Sequence, residues 1–216
     1  MSNFFNVDNA FFTAINKFVD LIVISLVWLI CCIPIFTIGP ATASLYYAVV
    51  KVIRRDRGYL VREFFRSFKM NFKVGTISGI LLTLLYFILF FDRKFAAALE
   101  DNQRVIMLSI FNVMLLMLFC TTLYIFPVLS RFSVGVKQLF KTSFFIAIRH
   151  LPTTILMAII TIALMLGTYI MPIALIISPA LCTLLISLLL ERVLKKYMPP
   201  KSEDAEHSGR DEWYLE

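Results

Sequence analysis

The sequence predicts an all-α fold: a polytopic membrane helix bundle of about five transmembrane helices with two cytoplasmic amphipathic segments. Three observations carry that prediction. Hydrophobic residues make up 60% of the chain and charged residues only 16%, against about 25% charged in soluble domains. The apolar residues gather in four long uncharged runs, Leu21–Val50, Val74–Phe91, Val105–Ser130 and Leu151–Leu190. The net charge of +7 lies between those runs and not within them, a distribution that orients helices in a bilayer and is not the footprint of nucleic-acid binding.

A hydrocarbon core about 30 Å thick takes roughly 20 residues of helix. The first run, 30 residues long, is too short for two full spans, so it reads as a span over about 18–37 followed by a different element. The second and third runs give spans over about 74–92 and 105–130. The fourth has 40 residues with "GTYIMP" (Gly167 to Pro172) in its middle, a turn signal that divides it into spans over about 153–170 and 172–193. The membrane domain then covers 1–198, and the acidic stretch 199–216 is a polar cytoplasmic tail.

Charge orients these spans. Lys51 to Lys73 carries eight Lys or Arg against two acids, Arg131 to Pro152 carries four against none, and Asp92 to Arg104 is balanced at three each. Both basic segments are therefore expected in the cytoplasm. An odd number of spans puts the N-terminus outside and the C-terminus inside a multi-pass protein of the cell membrane. The start of the chain lacks the basic region and small-residue cleavage site of a signal peptide, so the first span is expected to be retained.

The two basic segments read as interfacial helices over about 40–55, 59–73 and 134–150. The first opens at "TIGPATASLYY". Pro40 suits the first turn of a helix because its missing N–H is not needed there, and Thr37 or Gly39 can cap it. On this reading the corner turns a span into a helix at the cytoplasmic face, with Ser44, Tyr47, Lys51, Arg54 and Arg55 on a polar stripe. In 59–73, Arg62, Arg66, Lys69 and Lys73 share one stripe beside Phe64, Phe65, Phe68 and Phe72, as in a helix whose cations reach lipid phosphates. Such a helix can serve only as an anchor, or its basic face can dock a partner. Thr37, Gly39, Pro40, Thr42, Lys51, Arg54, Arg55, Arg62, Arg66, Lys69 and Lys73 form the candidate interaction or lipid-phosphate surface. Residues 62–72 also weakly resemble 142–152, a sign of two repeats.

No catalytic, cofactor-binding or metal-binding residue is expected. Gly-rich phosphate loops and His-pair metal motifs are missing, and His150 and His207 are the only histidines. Cys31, Cys32, Cys120 and Cys182 lie in apolar runs and read as buried thiols. Adjacent helix residues point about 100° apart, which disfavours a Cys31–Cys32 site. Acidic residues sit at the span edges, at Asp20, Asp92 and Glu191, which weakens the case for a proton-coupled carrier.

Pro34, Thr37, Gly39, Pro40, Ala41, Thr42, Leu45 and Tyr46, followed by Phe64, Phe65, Phe68, Lys69 and Asn71, are similar to the YesL-like family of bacterial integral membrane proteins of unknown function. The resemblance runs from Phe4 to Met198. It implies a part in carbohydrate uptake, because family members tend to lie beside genes for carbohydrate ABC importers, and it supplies no catalytic residue. The expected function is that of a non-enzymatic accessory or assembly partner of such an importer. Its partners would be the permease subunits and the anionic leaflet, with no nucleic acid. The alternative is a small transporter or channel that works as a homo-oligomer, with a polar cavity lined by Thr83, Asn112, Thr121 and Thr122.

Overall fold

The computed structural model of the chain describes residues 6–132 and 134–197. Regular structure among them is helical: α1 (Asn6–Cys32), α2 (Ile38–Ala48), α3 (Leu60–Ala96), α4 (Asp101–Arg131), α5 (Val136–Arg149), α6 (Leu151–Ile170) and α7 (Ser178–Leu194). Short 3-10 segments at Ile35–Thr37, Pro172–Ile176 and Lys195–Tyr197 join or close them, and α2 runs on as a π-helical stretch, Val49–Arg54. The tail 199–216 lies outside the described residues.

Five helical segments are long and apolar enough to cross a membrane: Ile15–Cys32, Ile35–Arg54, Leu60–Ala96, Gln103–Arg131 and Leu151–Ile170. Their number matches the expectation, but one member differs. Ile35–Arg54 was not expected among them, and the stretch expected to span over 172–193 is a 3-10 segment followed by the 17-residue α7, whose end returns to Arg55 and Arg131 through Glu191.

The span over Ile35–Arg54 corrects the reading of 40–55. The segment is not an interfacial helix but the centre of the bundle. Ala41, Leu45, Ala48 and Val49 pack with Ile24 and Phe64. Ala43, Tyr46 and Val50 pack on the other side with Tyr124, Ile125 and Leu190. The polar stripe that looked ready for water is satisfied by protein instead. Ser44 Oγ donates to the Pro40 carbonyl at 2.7 Å, and Lys51 Nζ pairs with Glu63 at 2.9 Å. Arg54 donates to the Ser187 carbonyl at 2.9 Å.

Local chemistry explains the sharp corner before α2. Pro34 has no N–H to continue α1, and Thr37 Oγ1 donates to the carbonyls of Cys31 and Pro34, both at 2.6 Å. The Cys31 carbonyl, left open at the end of α1, thus finds a donor, while the Pro34 carbonyl also accepts the Thr37 N–H at 3.0 Å. The chain then reverses. Lys17 meets Asp56 at 3.2 Å and Trp28 Nε1 donates to Thr42 Oγ1 at 3.3 Å, so α1 and α2 are antiparallel. The corner therefore sits about 24 Å along α2, at 1.5 Å per residue, from the basic end where it was expected. Ile33, Ile35 and Phe36 are exposed at its tip.

The second correction concerns α3. Interfacial helix 59–73 and span 74–92 are one continuous helix of 37 residues, about 55 Å long. Its first half packs antiparallel on α2, with Lys51 against Glu63 at one end and Gly39 against Gly75 and Gly79 at the other. A Cβ on Gly75 would stand 2.9 Å from both Cα and N of Pro40, so the two backbones touch. Small residues permit such approach between membrane helices, where packing replaces the hydrophobic effect as the driving force. The stretch aligned with 62–72, residues 142–152, behaves differently. There α5 ends at Arg149 and α6 begins anew at Leu151 with Pro152 in its first turn, so the resemblance of the two stretches does not extend to one uninterrupted helix.

Candidate functional site

Three helix ends meet beside the turn between Arg54 and Leu60. At their meeting point Glu191 of α7 is buried, with 5% of its surface exposed. Its Oε1 accepts hydrogen bonds from Tyr46 OH at 2.9 Å and from Arg131 Nε at 3.1 Å, with Arg131 Nη2 closing the pair at 2.5 Å. Its Oε2 faces Arg55 Nη2 at 3.8 Å. Helices α2, α4 and α7 are thereby tied through one carboxylate. A buried guanidinium and carboxylate hold together only while both remain, since removing one strands the other charge in a medium that cannot solvate it.

This cluster separates two concave regions. On one side lies a cavity of about 460 Å3 lined mostly by apolar groups, among them Trp28, Leu45, Tyr46, Phe126, Met165 and Ile186. On the other is a cleft of about 750 Å3 walled by Arg54, Arg55, Arg57, Glu191, Arg192 and Lys195. Tyr46 lines the first and Glu191 the second, so their 2.9 Å hydrogen bond forms part of the partition. Burial holds the Arg55 guanidinium below its ordinary range, and Arg131, Arg54 and Arg57 push the same way against Glu191.

The residues picked from sequence divide into three groups. Thr37, Gly39, Pro40 and Thr42 form the corner and its packing; Gly39 and Pro40 are buried against α3, and Thr42 Oγ1 donates to the Ile38 carbonyl at 2.8 Å. The helix start is closed by protein rather than open to a phosphate. Lys51, Arg54 and Arg55 act in ion pairs or hydrogen bonds between helices. Arg62, Arg66, Lys69 and Lys73 are exposed on α3, on the side opposite the buried Glu63, Phe64 and Ser67. Exposed Phe65 and Phe72 lie beside them.

Sequence reasoning missed Glu191 as the hub, together with Arg131 and Tyr46. A usable signal was present: a carboxylate directly after 40 uncharged residues requires a partner, and an ionisable group against lipid marks a functional position until its partner is found. The cavity also differs from the one expected for a transporter. Thr122 lines it, but Thr83 and Asn112 are exposed on the outer surface and Thr121 Oγ1 donates to the Met117 carbonyl of its own helix.

Comparison with known proteins agrees with the resemblance read in the corner and α3. The family described as "Protein of unknown function, DUF624" matches residues 21–93. The chain is 28% identical over 151 residues to "Uncharacterized protein YesL" of Bacillus subtilis (strain 168), covering 69% of this chain and 71% of that protein. It is 28% identical over 133 residues to "Uncharacterized protein YteU" of the same organism, covering 60% of this chain and 59% of that protein. No solved structure matches. The matched block contains the α1–α2 corner, the Gly39–Gly75 contact and the Lys51–Glu63 pair, so these features lie where the chain is similar to that family.

Proposed function

We propose that this chain is a non-enzymatic multi-pass membrane protein that docks on other membrane components through its basic end, the partner being a permease subunit of a carbohydrate ABC importer. One observation carries the docking half of this reading. The first four turns of α3 bury Glu63, Phe64 and Ser67 while Arg62, Arg66, Lys69 and Lys73 stand exposed on the opposite side. The helix cannot roll to hide them, because the buried Lys51–Glu63 pair and the Gly39–Gly75 contact fix it at both ends of α2. A rigid cationic stripe edged by Phe65 and Phe72 suits an acidic partner surface next to the headgroups.

The importer as partner rests on the family's association with carbohydrate uptake. In this reading the basic end faces the cytoplasm. Lys17 and Asp56 meet at that end, so α1 starts there too, in place of the outward start expected from an odd number of spans.

The test is co-isolation from cells grown on an inducing carbohydrate, in mild detergent, with wild type and Arg62→Gln/Lys69→Gln/Lys73→Gln compared. Recovery of permease subunits with the wild type and their loss with the variant is the expected result. Bait alone in both samples overturns the reading.

A second reading, a small oligomeric transporter, has the 460 Å3 cavity in its favour. The mostly apolar lining suits a hydrocarbon-bearing solute better than a hydrated one. Solute-dependent flux in reconstituted vesicles would favour this reading over docking.

A further inference from the structure

We propose that the apolar cavity between α1, α2, α4, α6 and α7 is a binding site for one acyl chain of a bilayer phospholipid. Its inner wall is protein core, where Leu45, Tyr46 and Ile186 are buried. Its outer rim is not, since Met165 is 62% and Leu175 45% exposed. Met165 lies about 21 Å along α6 from Leu151, at 1.5 Å per residue, within the roughly 30 Å of hydrocarbon that such a helix crosses. An opening at that depth meets lipid tails rather than water. Leu175, past the end of α6, carries the rim towards the membrane surface opposite the Glu191 cluster, so a lipid there can insert a tail while its headgroup stays outside.

The polar groups of the lining are already spoken for. The hydroxyls of Thr42, Thr122, Thr161, Thr168 and Thr183 each donate to a carbonyl of their own helix, at 2.8 to 3.1 Å. Trp28 Nε1 donates to Thr42 Oγ1, and Tyr46 OH to Glu191. A water needs about two to four polar partners to stay in a cavity, so a space lined this way stays dry. Left empty, about 460 Å3 would forfeit the close contacts that its walls otherwise make, and tails are the apolar material at its opening. At about 30 Å3 for each water-sized group the space takes roughly fifteen such groups, one acyl chain and not two. No charged residue lines it among those described, so selection falls on the chain rather than the headgroup.

This site goes beyond the docking reading, whose cations lie on α3, and unlike the transporter reading of the same cavity it holds a resident chain. Trp28 lines the cavity and is one of two tryptophans, the other being Trp213, so a Trp213→Phe background makes its fluorescence the reporter. The full chain is reconstituted in phosphatidylcholine with chains brominated near their midpoint, a contact quencher, and in the unbrominated lipid. Thr168→Phe and Thr183→Phe fill the cavity from α6 and α7, and Ile162→Phe adds the same ring on the exposed face of α6. Size exclusion selects the variants that remain folded. Native mass spectrometry counts the phospholipids retained in detergent.

Brominated chains are expected to quench Trp28, at least about twofold less in either filled variant and unchanged in Ile162→Phe, with phosphatidylglycerol of the same chains quenching equally. The wild type should retain one phospholipid that the filled variants lack. Quenching by aqueous acrylamide in place of the brominated chains marks a wetted cavity and overturns the site. Equal quenching in the filled variants and Ile162→Phe marks lipid on the outer surface only and overturns it too. If neither filled variant folds, the wild type decides alone: retention of no phospholipid overturns the site. Solute flux and co-isolation of permease subunits report on transport and docking separately.

Discussion

Replacing Gly75 with Ala tests the α2–α3 contact at its tightest point. The added Cβ would lie 2.9 Å from Cα and N of Pro40 and 3.1 Å from its Cβ. Ordinary van der Waals contact begins at 3.4 Å, so the two helices must part by about half an ångström or Pro40 must rotate. Neither is cheap, because the obstructing atoms are backbone and ring atoms rather than the tip of a flexible side chain. The same motion loosens the packing of Leu45 and Val49 on Phe64 further along α2. Overpacking of this kind costs roughly 1 to 3 kcal/mol, or a fall of about 3 to 10 °C in melting temperature for a chain of this size.

Gly167 supplies the control, since a Cβ there meets nothing within 4 Å and Ala is the better helix former. Thermal unfolding of both variants in detergent, followed by fluorescence-detected size exclusion, should give a clear loss for Gly75→Ala and none for Gly167→Ala. Equal melting temperatures would refute the close approach of the two backbones.

Three further outcomes follow from the buried charges and the α5–α6 junction. Glu191→Gln leaves Arg131 buried without its counter-charge and should cost about 3 to 5 kcal/mol, while Tyr46→Phe, which removes one hydrogen bond, should cost about 1 kcal/mol; both are read as melting shifts. Lys51→Met should destabilise more than the double variant Lys51→Met/Glu63→Leu, because the double change leaves no stranded carboxylate; a larger loss in the double variant would contradict the pairing. Burial, with Lys196 and Arg149 nearby, lowers the His150 pKa below its usual 6.5. The unfolded chain then takes up a proton first as pH falls, so the stability contributed by neutral His150 is full above about pH 6.5 and is lost on acidification. A melting curve measured from pH 7.5 to 5 should fall less steeply for His150→Asn than for wild type.

Much of this fold was legible in the residues themselves, because uncharged runs of helical length admit few structures in lipid. The turn near Pro172 and the break before Pro152 follow from proline's missing N–H. What misled was α2. Its Ser44, Lys51, Arg54 and Arg55 form a regular polar stripe, and periodicity cannot distinguish a stripe facing water from one facing Glu63, Ser187 and Glu191. Those partners lie 12, 133 and 136 residues away, beyond any local pattern.

Continuity of α3 was hidden for a related reason. A change from charged to apolar composition at Lys73 resembles a boundary, yet nothing between Leu60 and Ala96 breaks a helix, since Gly75 and Gly79 are tolerated where α2 presses close. Of the candidate site, the exposed cations of α3 were readable from spacing alone. The cleft was only half readable, because Arg192, Lys195 and Glu191 join Arg54 and Arg55 through the return of α7.

The most direct test of the central claim, docking through the basic stripe of α3, is site-specific photocrosslinking in growing cells. A photoreactive residue is placed at Lys69 on the stripe and, in a separate strain, at Ile162 on the exposed face of α6. The account predicts a discrete protein adduct from position 69, identified by mass spectrometry as a permease subunit, and none from position 162. Lipid adducts alone from both positions, or the same protein adducts from each, would contradict it.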